Sequence, residues 1–341
     1  MRMAHIMAGA PSGGAELFFE RLVAALRDSG EEVCPVIRRD AGRLSRLRAA
    51  GFEPVQLGFG GPLDVITRPR LRRALRAFGP DLVMAWMSRA AAFTPRGPYV
   101  LTGRLGGYYD LRRFQHCDHL VANTRGLVDW IVRQGWPAAR AHHLPNFSPD
   151  LAGAAPAVLP VPPGVPVVLA LGRLHRNKAF DVLVRALPRL PGVHAVIAGE
   201  GPERDALEVL ARAEGVADRL HLLGWRHDQA ALLAASTVLA CPSRQEPLGN
   251  VVLEAFSAGI PVVASESEGP REVIRAGVTG LLVALEDPQA LADGLGRVIE
   301  DRDLAARLAV AGRTEYEAIH AEAPVIDQWR ATLRHLAPGG R

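Results

Sequence analysis

Lys178 is the only lysine in a chain with 40 basic residues, and it lies shortly after Gly172 and Arg173 in the run LGRLHRNKAFD, Leu171 to Asp181. An ammonium is a compact point charge and a guanidinium a planar fork, so the two together suit the oxygens of a diphosphate. Gly172 allows the sharp turn that opens the loop. A second run, SRQEPLGNVVLEAFSAGIPVVAS from Ser243, carries Glu246 and, eight positions later, Glu254. Pro247 and Gly249 shape a turn whose amides can face a ligand ahead of a helix that contains Glu254. That helix is apolar around Glu254, so a carboxylate buried there needs partners. A ribose diol offers it two donors. Taken singly, Glu246 and Glu254 read as surface and helix-end acids. Joined to the Arg173–Lys178 loop, they read as one binding site.

Parallel sheets must hold these loops. In the first half the runs MAHIM, EVCPVI, PVQLGF, DLVMAW, YVLTG, DHLVAN and AHHLP read as strands. Helical spacing separates them at Ala15–Ser29, Leu63–Phe78 and Arg125–Gln134. Pro145–Pro166 is rich in proline, has no periodicity and reads as a linker. A second series follows: VPVVLAL, HAVIAG, LHLLGW, STVLAC, IPVVAS and GLLVAL, with helical segments between. Strand–helix alternation of this kind predicts an α/β chain of two doubly wound, Rossmann-like domains facing a central cleft. The expected boundaries are 1–150, 151–323 and a last stretch, 324–341, whose helix packs back toward the first domain. In open sheets of this type ligands sit beyond the carboxyl ends of the strands, where the Arg173–Lys178 loop falls.

The first strand also runs into glycines, in AGAPSGGAELF, ahead of a helix. Glycines and a helix N-terminus make an anion cradle or an unliganded tight turn. The spacing is not G-x-G-x-x-G, the dinucleotide fingerprint. Arg38-Arg39-Asp40 after the second strand would suit the 2′-phosphate of NADP, but the glycine spacing and the lack of a hydride-transfer constellation weigh against an oxidoreductase.

Charge divides unevenly. Residues 1–150 hold 21 arginines against 13 acids, a balance of +8, and the remainder is −4. The first half is thus expected to meet something anionic. Its arginines are not interleaved with aromatics as in a nucleic-acid stacking surface, an anionic lipid headgroup or a phosphorylated glycan fits the charge equally well, and nucleic acid is not expected. In RPRLRRALRAF, Arg68, Arg72 and Arg76 share a helical face, which reads as a basic docking face or a solvated helix. Cys34, Cys117 and Cys241 form no C-x-x-C pair, as in a reducing compartment. No apolar run reaches the length of a membrane span. A cytoplasmic protein, with attachment to the inner face of the membrane allowed, is expected.

The sequence resembles the retaining GT-B glycosyltransferases often called group 1, with an E-x7-E motif. Glu246 to Glu254 match that motif, GRLHRNKAFD the phosphate-binding loop, IAGEGPER the second glycine turn, and EGPREVIRAGVTGLLV a further stretch; GGAE near the start is compatible. The resemblance implies transfer of a sugar from a UDP-, GDP- or ADP-sugar to a hydroxyl of a lipopolysaccharide, glycolipid or polysaccharide intermediate, without metal or other cofactor. By analogy, Arg173 and Lys178 bind the diphosphate, Glu246 the donor sugar, and Glu254 the ribose. Leu248, Gly249 and Asn250 supply amides, Arg226 beside Trp225 lies where relatives contact the base, and Gly14, Gly172, Gly199 and Gly201 let the chain pass close to the donor. Gly13, Arg104 and Tyr108 are the residues to expect at the acceptor. Two departures stand out. Ala179 replaces the glycine of the usual KGxD, where its methyl would trim loop freedom. The first domain lacks a histidine after YVLTG, leaving Arg104 at that place and His116 and His119 nearby. Related chemistries remain open: a sugar-nucleotide epimerase or hydrolase, or a silent nucleotide-sugar-binding protein.

Overall fold

The computed structural model describes residues 1–10, 13–61 and 64–337. Pro11 and Ser12 of the first glycine turn, and Leu63 at the expected start of a helix, lie outside the described residues. Two compact units divide the chain, one of 1–146 with 322–341 and the other of 147–321.

In the first unit seven strands run parallel. They are β1 (Arg2–Met7), β2 (Glu32–Arg38), β3 (Val55–Leu57), β4 (Leu82–Trp86), β5 (Val100–Leu105), β6 (His119–Ala122) and β7 (Ala141–His143). Their order is β3-β2-β1-β4-β5-β6-β7. The chain reverses direction of growth between β1 and β4, whose register pairs Met3 with Leu82 and Met7 with Trp86. Strands buried on both faces read as continuous apolar runs, and β4, LVMAW, is buried at every position. The terminal helix Glu322–Leu336 belongs to this unit. Its Trp329 is fully buried and donates from Nε1 to the carbonyl of Pro145 at 2.9 Å. Arg330 and Arg334 both reach the buried carboxylate of Glu31, at 3.0 and 2.7 Å.

Six parallel strands build the second unit: β8 (Val167–Leu171), β9 (His194–Ala198), β10 (Leu220–Gly224), β11 (Val238–Cys241), β12 (Val262–Ser265) and β13 (Leu281–Val283). Their order is β10-β9-β8-β11-β12-β13, so its reversal lies between β8 and β11. Apolar clusters fill both faces of this sheet. The proline-rich stretch is more than a linker: Leu151, Leu159 and Val161 pack on one of these clusters, and Ala157 donates to the carbonyl of Ala231 at 2.9 Å.

Helix Ala41–Ala49 was not legible from apolar spacing, because one of its two buried side chains is Arg43. Among the described residues, no helix is long and apolar enough to cross a membrane.

Candidate functional site

The phosphate-type loop of the second unit begins where β8 ends. Gly172 has φ 141°, and its carbonyl oxygen lies 1.8 Å from where a β-carbon on Gly199 would stand. A β-carbon on Gly201 would stand 2.2 Å from the carbonyl oxygen of Leu174. These glycines therefore let the loop after β9 lie backbone to backbone against the loop after β8. Three hydrogen bonds lace the two: Gly172 N to Ala198 O at 3.1 Å, Leu174 N to Glu200 O at 2.9 Å, and Glu203 N to Leu174 O at 3.1 Å. Gly172 and Gly199 are thus framework, and Arg173 between them is exposed.

A short turn, Arg176–Lys178, follows, and Nδ1 of His175 accepts from the amide of Asn177 at 3.3 Å. Ala179 then takes φ 53°, a left-handed conformation that costs a residue with a β-carbon roughly 1–2 kcal/mol. The methyl in place of glycine thus adds strain at a buried position rather than merely stiffening the loop.

From this turn the Lys178 ammonium reaches the Glu246 carboxylate directly, in the loop after β11. The hydroxyl of Ser243 donates to the same Oε2 at 3.2 Å. Burial acts to lower the pKa of Lys178, but Glu246 beside it, by charge and by hydrogen bond, outweighs that and the net shift is upward from the ordinary 10.5, with Glu254 the smallest contributor. While its partner carboxylate is ionised, the stability that Lys178 contributes is lost only as pH rises from that ordinary value through the raised one. Burial, with Glu246 beside it, pushes the Cys241 thiol up to about 11, so it remains uncharged. By the family resemblance Lys178 and Glu246 face different parts of a ligand; the fold makes them partners.

Glu254 lies in the middle of the helix Asn250–Ala258 and is half-buried rather than buried. Its charge adds a small upward push to the pKa of Lys178, whose direct partner is Glu246. Gly249 caps this helix at φ 84°, and Leu248 before it is buried. Gly269 holds the turn from behind. A β-carbon there would stand 2.4 Å from the Leu248 backbone, and its amide donates to Glu246 O at 2.8 Å. Asn250 opens the helix, whose N-terminal amides and dipole favour negative charge.

Two residues overlooked in the sequence tie the loops together. Arg244 grips Asp181 with both terminal nitrogens, at 2.8 and 2.7 Å, and donates to the carbonyl of Arg176 at 2.9 Å. The backbone amide of Arg244 donates to Asn177 O at 2.9 Å. Asp181 closes the KAFD run and Arg244 stands two places before Glu246, a complementary pair that spacing alone does not reveal. Because both side chains are partly exposed, Arg244→Ala is expected to cost only about 1 kcal/mol of stability. It should lower turnover about tenfold by loosening the Lys178–Glu246 geometry. Thermal unfolding and initial rates check the two figures.

Arg226 engages Asp228 at 2.8 Å, while Trp225 is 49% exposed on the same loop after β10.

In the first unit the glycine turn is occupied from within. The carboxylate of Glu16, two residues into the helix Gly14–Asp28, turns back to accept from the amide of Ala10 at 2.9 Å. β-Carbons on Gly9 and Gly13 would stand 2.2 and 2.4 Å from its oxygens. The Glu16 carboxylate thus lies beside Ala10, Gly9 and Gly13. Met87, directly after β4, is held at φ 62° with its Cε 2.6 Å from a Gly9 β-carbon position.

Arg104 departs from the acceptor expectation. It is 2% exposed, its guanidinium lies over Trp86, Phe18 and Trp329 at 5.0, 5.4 and 5.7 Å, and it donates to Leu105 O at 2.8 Å and Asn146 Oδ1. Burial lowers its pKa to about 9. Encased this way, it braces a core of aromatic rings. By opening a cavity among these rings, Arg104→Ala is expected to cost about 2–5 kcal/mol, read as a lowered denaturation midpoint. Tyr108 is 45% exposed, with its ring edge-on to Trp130 at 5.1 Å. His116 precedes β6 and His119 opens it, pairing with His142 at 3.0 Å. Both stand at the amino end of that strand, away from the carboxyl-end crevice.

Known proteins resemble this chain in sequence and in fold. Residues 154–315 match the family described as Glycosyl transferases group 1, and residues 12–148 match Glycosyltransferase Family 4. The lipopolysaccharide core biosynthesis glycosyltransferase LpsE of Rhizobium meliloti is 36% identical over 324 residues, 92% of this chain and 93% of LpsE. The chain belongs to the group 1 glycosyltransferase family. Another member from the same organism, LpsD, is 32% identical over 338 residues, 96% of this glycosyltransferase and 97% of LpsD. In fold the enzyme is similar to HepE of Anabaena, solved in complex with UDP, at a TM-score of 0.85 and 21% identity over 98% of this chain and all of that one. The fold is GT-B.

Proposed function

We propose that the enzyme moves a sugar, with retention, from a nucleotide-diphosphate donor on its second unit to a hydroxyl of a lipopolysaccharide-type acceptor. The observation that carries this reading is the pairing of Lys178 with Glu246 beside the Arg173 loop, at the carboxyl ends of β8 and β11, ahead of the helix that bears Glu254. An ammonium has three donors, so Lys178 can hold Glu246 and still offer a hydrogen to a phosphate oxygen. Arg173 supplies a second cation from the neighbouring turn. Together they take the place of a metal ion in stabilising the charge that develops on the departing diphosphate. Such preorganised electrostatic stabilisation usually lowers the barrier more than any other single effect. Glu254 accepts from the ribose hydroxyls. Glu246 and the amides at Leu248, Gly249 and Asn250 fix the donor sugar. The leaving phosphate oxygen takes the acceptor's proton as that hydroxyl approaches from the same face.

The names of LpsE and LpsD support a lipopolysaccharide-core acceptor, and the UDP bound to HepE supports a nucleotide-sugar donor. The test supplies UDP-, GDP- and ADP-sugars with lipopolysaccharide core as acceptor and follows nucleoside diphosphate release and the anomeric configuration of the product. Acceptor-dependent release with the donor's configuration kept is expected. Release without acceptor would assign a hydrolase, an altered nucleotide sugar an epimerase, and an inverted product would overturn the same-face mechanism.

A further inference from the structure

The connection between β5 and β6 is short, and its shortness leaves a groove on the first sheet. Right-handed crossovers that advance in one direction lie on one face of a parallel sheet, so the β5–β6 and β6–β7 connections are neighbours. The second carries the helix Arg125–Arg133, whereas the first carries the four-residue turn Leu111–Phe114. A single turn cannot cover the flank of a helix, and a cavity of about 430 Å³ opens between the two. That size lies within the roughly 300–1,000 Å³ of small-molecule sites. Two indoles line it. Trp130 stands beside the buried positions Leu127 and Ile131, and Gln134 follows one turn later on the same side. Gly135, at φ 92°, then turns the chain and brings Trp136 into the same wall. Both indoles pack partly on the core of this unit. Trp136 is fixed further, donating from Nε1 to Arg140 O at 3.1 Å with the Arg140 guanidinium 5.7 Å from its ring.

The polar groups around these rings decide what the groove takes. Arg112 donates to Asp110 from Nε at 3.0 Å and from Nη2 at 2.8 Å, so the charges of the lining side chains cancel and a phosphate meets no net attraction. The side-chain amides of Gln115 and Gln134 are exposed and, like Nε1 of Trp130, make no hydrogen bond among the described residues. A sugar ring complements this set. Its C–H face suits an indole, and its neighbouring hydroxyls both give and accept hydrogen bonds, as planar carboxylate, guanidinium and amide groups require. Position links the groove to the carboxyl-end crevice of the sheet. Tyr109, in the same wall, has its pKa raised by burial and then by the nearby Glu16 carboxylate, so the groove starts beside the first glycine turn. Tyr108, edge-on to Trp130 at 5.1 Å, stands at the same end. From there the groove follows the helix toward the amino ends of the strands, where Gln134 and Trp136 lie.

We propose that this groove is a saccharide subsite, holding a neutral sugar residue of the acceptor glycan beyond the one that receives the transferred sugar. The C–H face of that residue lies on the Trp130 indole, and its hydroxyls meet Asp110, Arg112, Gln115 and Gln134. The assignment rests on the acceptor's being a glycan, as in the function proposed above, and on no particular donor.

The full-length protein is to be titrated with lipopolysaccharide core oligosaccharide freed of lipid and phosphate, with binding read by saturation-transfer NMR. Nucleoside diphosphate release is then followed with the same oligosaccharide as acceptor. Arg112→Ala with Gln134→Ala, both at exposed positions, should weaken binding and raise the acceptor KM about tenfold, the loss of one or two hydrogen bonds. The kcat, the donor KM and the unfolding midpoint should hold. Trp130→Leu, a separate variant that keeps an apolar contact with the core, should raise the acceptor KM likewise. A monosaccharide acceptor, too short to fill the groove, should show one KM in all three proteins. Wild-type binding and KM in both variants, on an oligosaccharide that the enzyme turns over, would overturn the subsite and leave the transfer reading standing. Variant-sensitive binding without acceptor-dependent release would keep the subsite and remove the transfer reading. Displacement of the oligosaccharide by uridine would make the groove a base-stacking site and overturn the proposal, as would a wild type that binds no oligosaccharide.

Discussion

Lys178→Ala is expected to lower turnover by about 10²–10³-fold, or roughly 2.7–4 kcal/mol of transition-state stabilisation. The unfolding midpoint should fall only slightly, since the ion pair that is lost is partly exposed. The lysine's side chain is 23% exposed, so its removal opens no sealed cavity. Glu246 keeps its hydrogen bond from Ser243. What disappears is the ammonium that pairs with Glu246. Lys178→Arg should rescue poorly, because Gly172 packs against the lysine stem: a β-carbon there would stand 3.1 Å from Cε. A longer planar fork has no room to reproduce the point charge. Initial rates of nucleoside diphosphate release decide the matter, and an alanine variant with a near-normal rate would remove Lys178 from the mechanism.

Gly199→Ala should be the most damaging small substitution in the second unit. Its new methyl would stand 1.8 Å from the carbonyl oxygen of Gly172, a backbone atom laced in place on both sides. Relief requires the loop after β8 to move, carrying Arg173 and Lys178 with it. An overpacking cost of about 3 kcal/mol follows, equivalent to a fall of roughly 6–12 °C in the unfolding midpoint. Donor affinity should fall with it. Gly296→Ala is the matched control. It sits in the helix Pro288–Glu300 with its nearest neighbour, a Leu190 methyl, at 3.6 Å. Alanine also favours helix, so that variant should lose nothing. Calorimetry of the two proteins separates the predictions.

Much of this fold was legible because buried parallel strands write themselves as apolar runs. Runs such as DLVMAW and VPVVLAL became β4 and β8, and their alternation with helical spacing led to two doubly wound sheets. Helix Ala41–Ala49 was hidden for the converse reason. Arg43 occupies an inward position, where it bonds Glu20 at 3.2 Å, and so erases the apolar stripe. The glycines of the second unit could be assigned to loops, but their task could not. Gly199, Gly201 and Gly269 make room for another stretch of backbone, a fact that exists only in three dimensions.

The candidate site was legible in its residue types and less so in its pairings. Lys178, Glu246 and Glu254 signalled themselves by rarity and spacing, whereas the Arg244–Asp181 clamp joins residues remote in sequence. Arg104 misled because an arginine after a strand reads as a ligand contact. Its burial among Trp86, Phe18 and Trp329 depends on a helix from the far end of the chain. Glu16 was passed over inside GGAE, although its carboxylate fills the turn that the glycines open.

Whether the second unit holds a nucleotide donor by its diphosphate through the Lys178 loop is tested most directly by calorimetric titration. UDP, GDP and ADP are titrated into the wild type and into Lys178→Ala, with the matching nucleosides in parallel. One diphosphate should bind, the variant should bind it about tenfold or more weakly, and nucleoside binding should be equal in both. Equal diphosphate affinity in the two proteins would contradict the role given to Lys178.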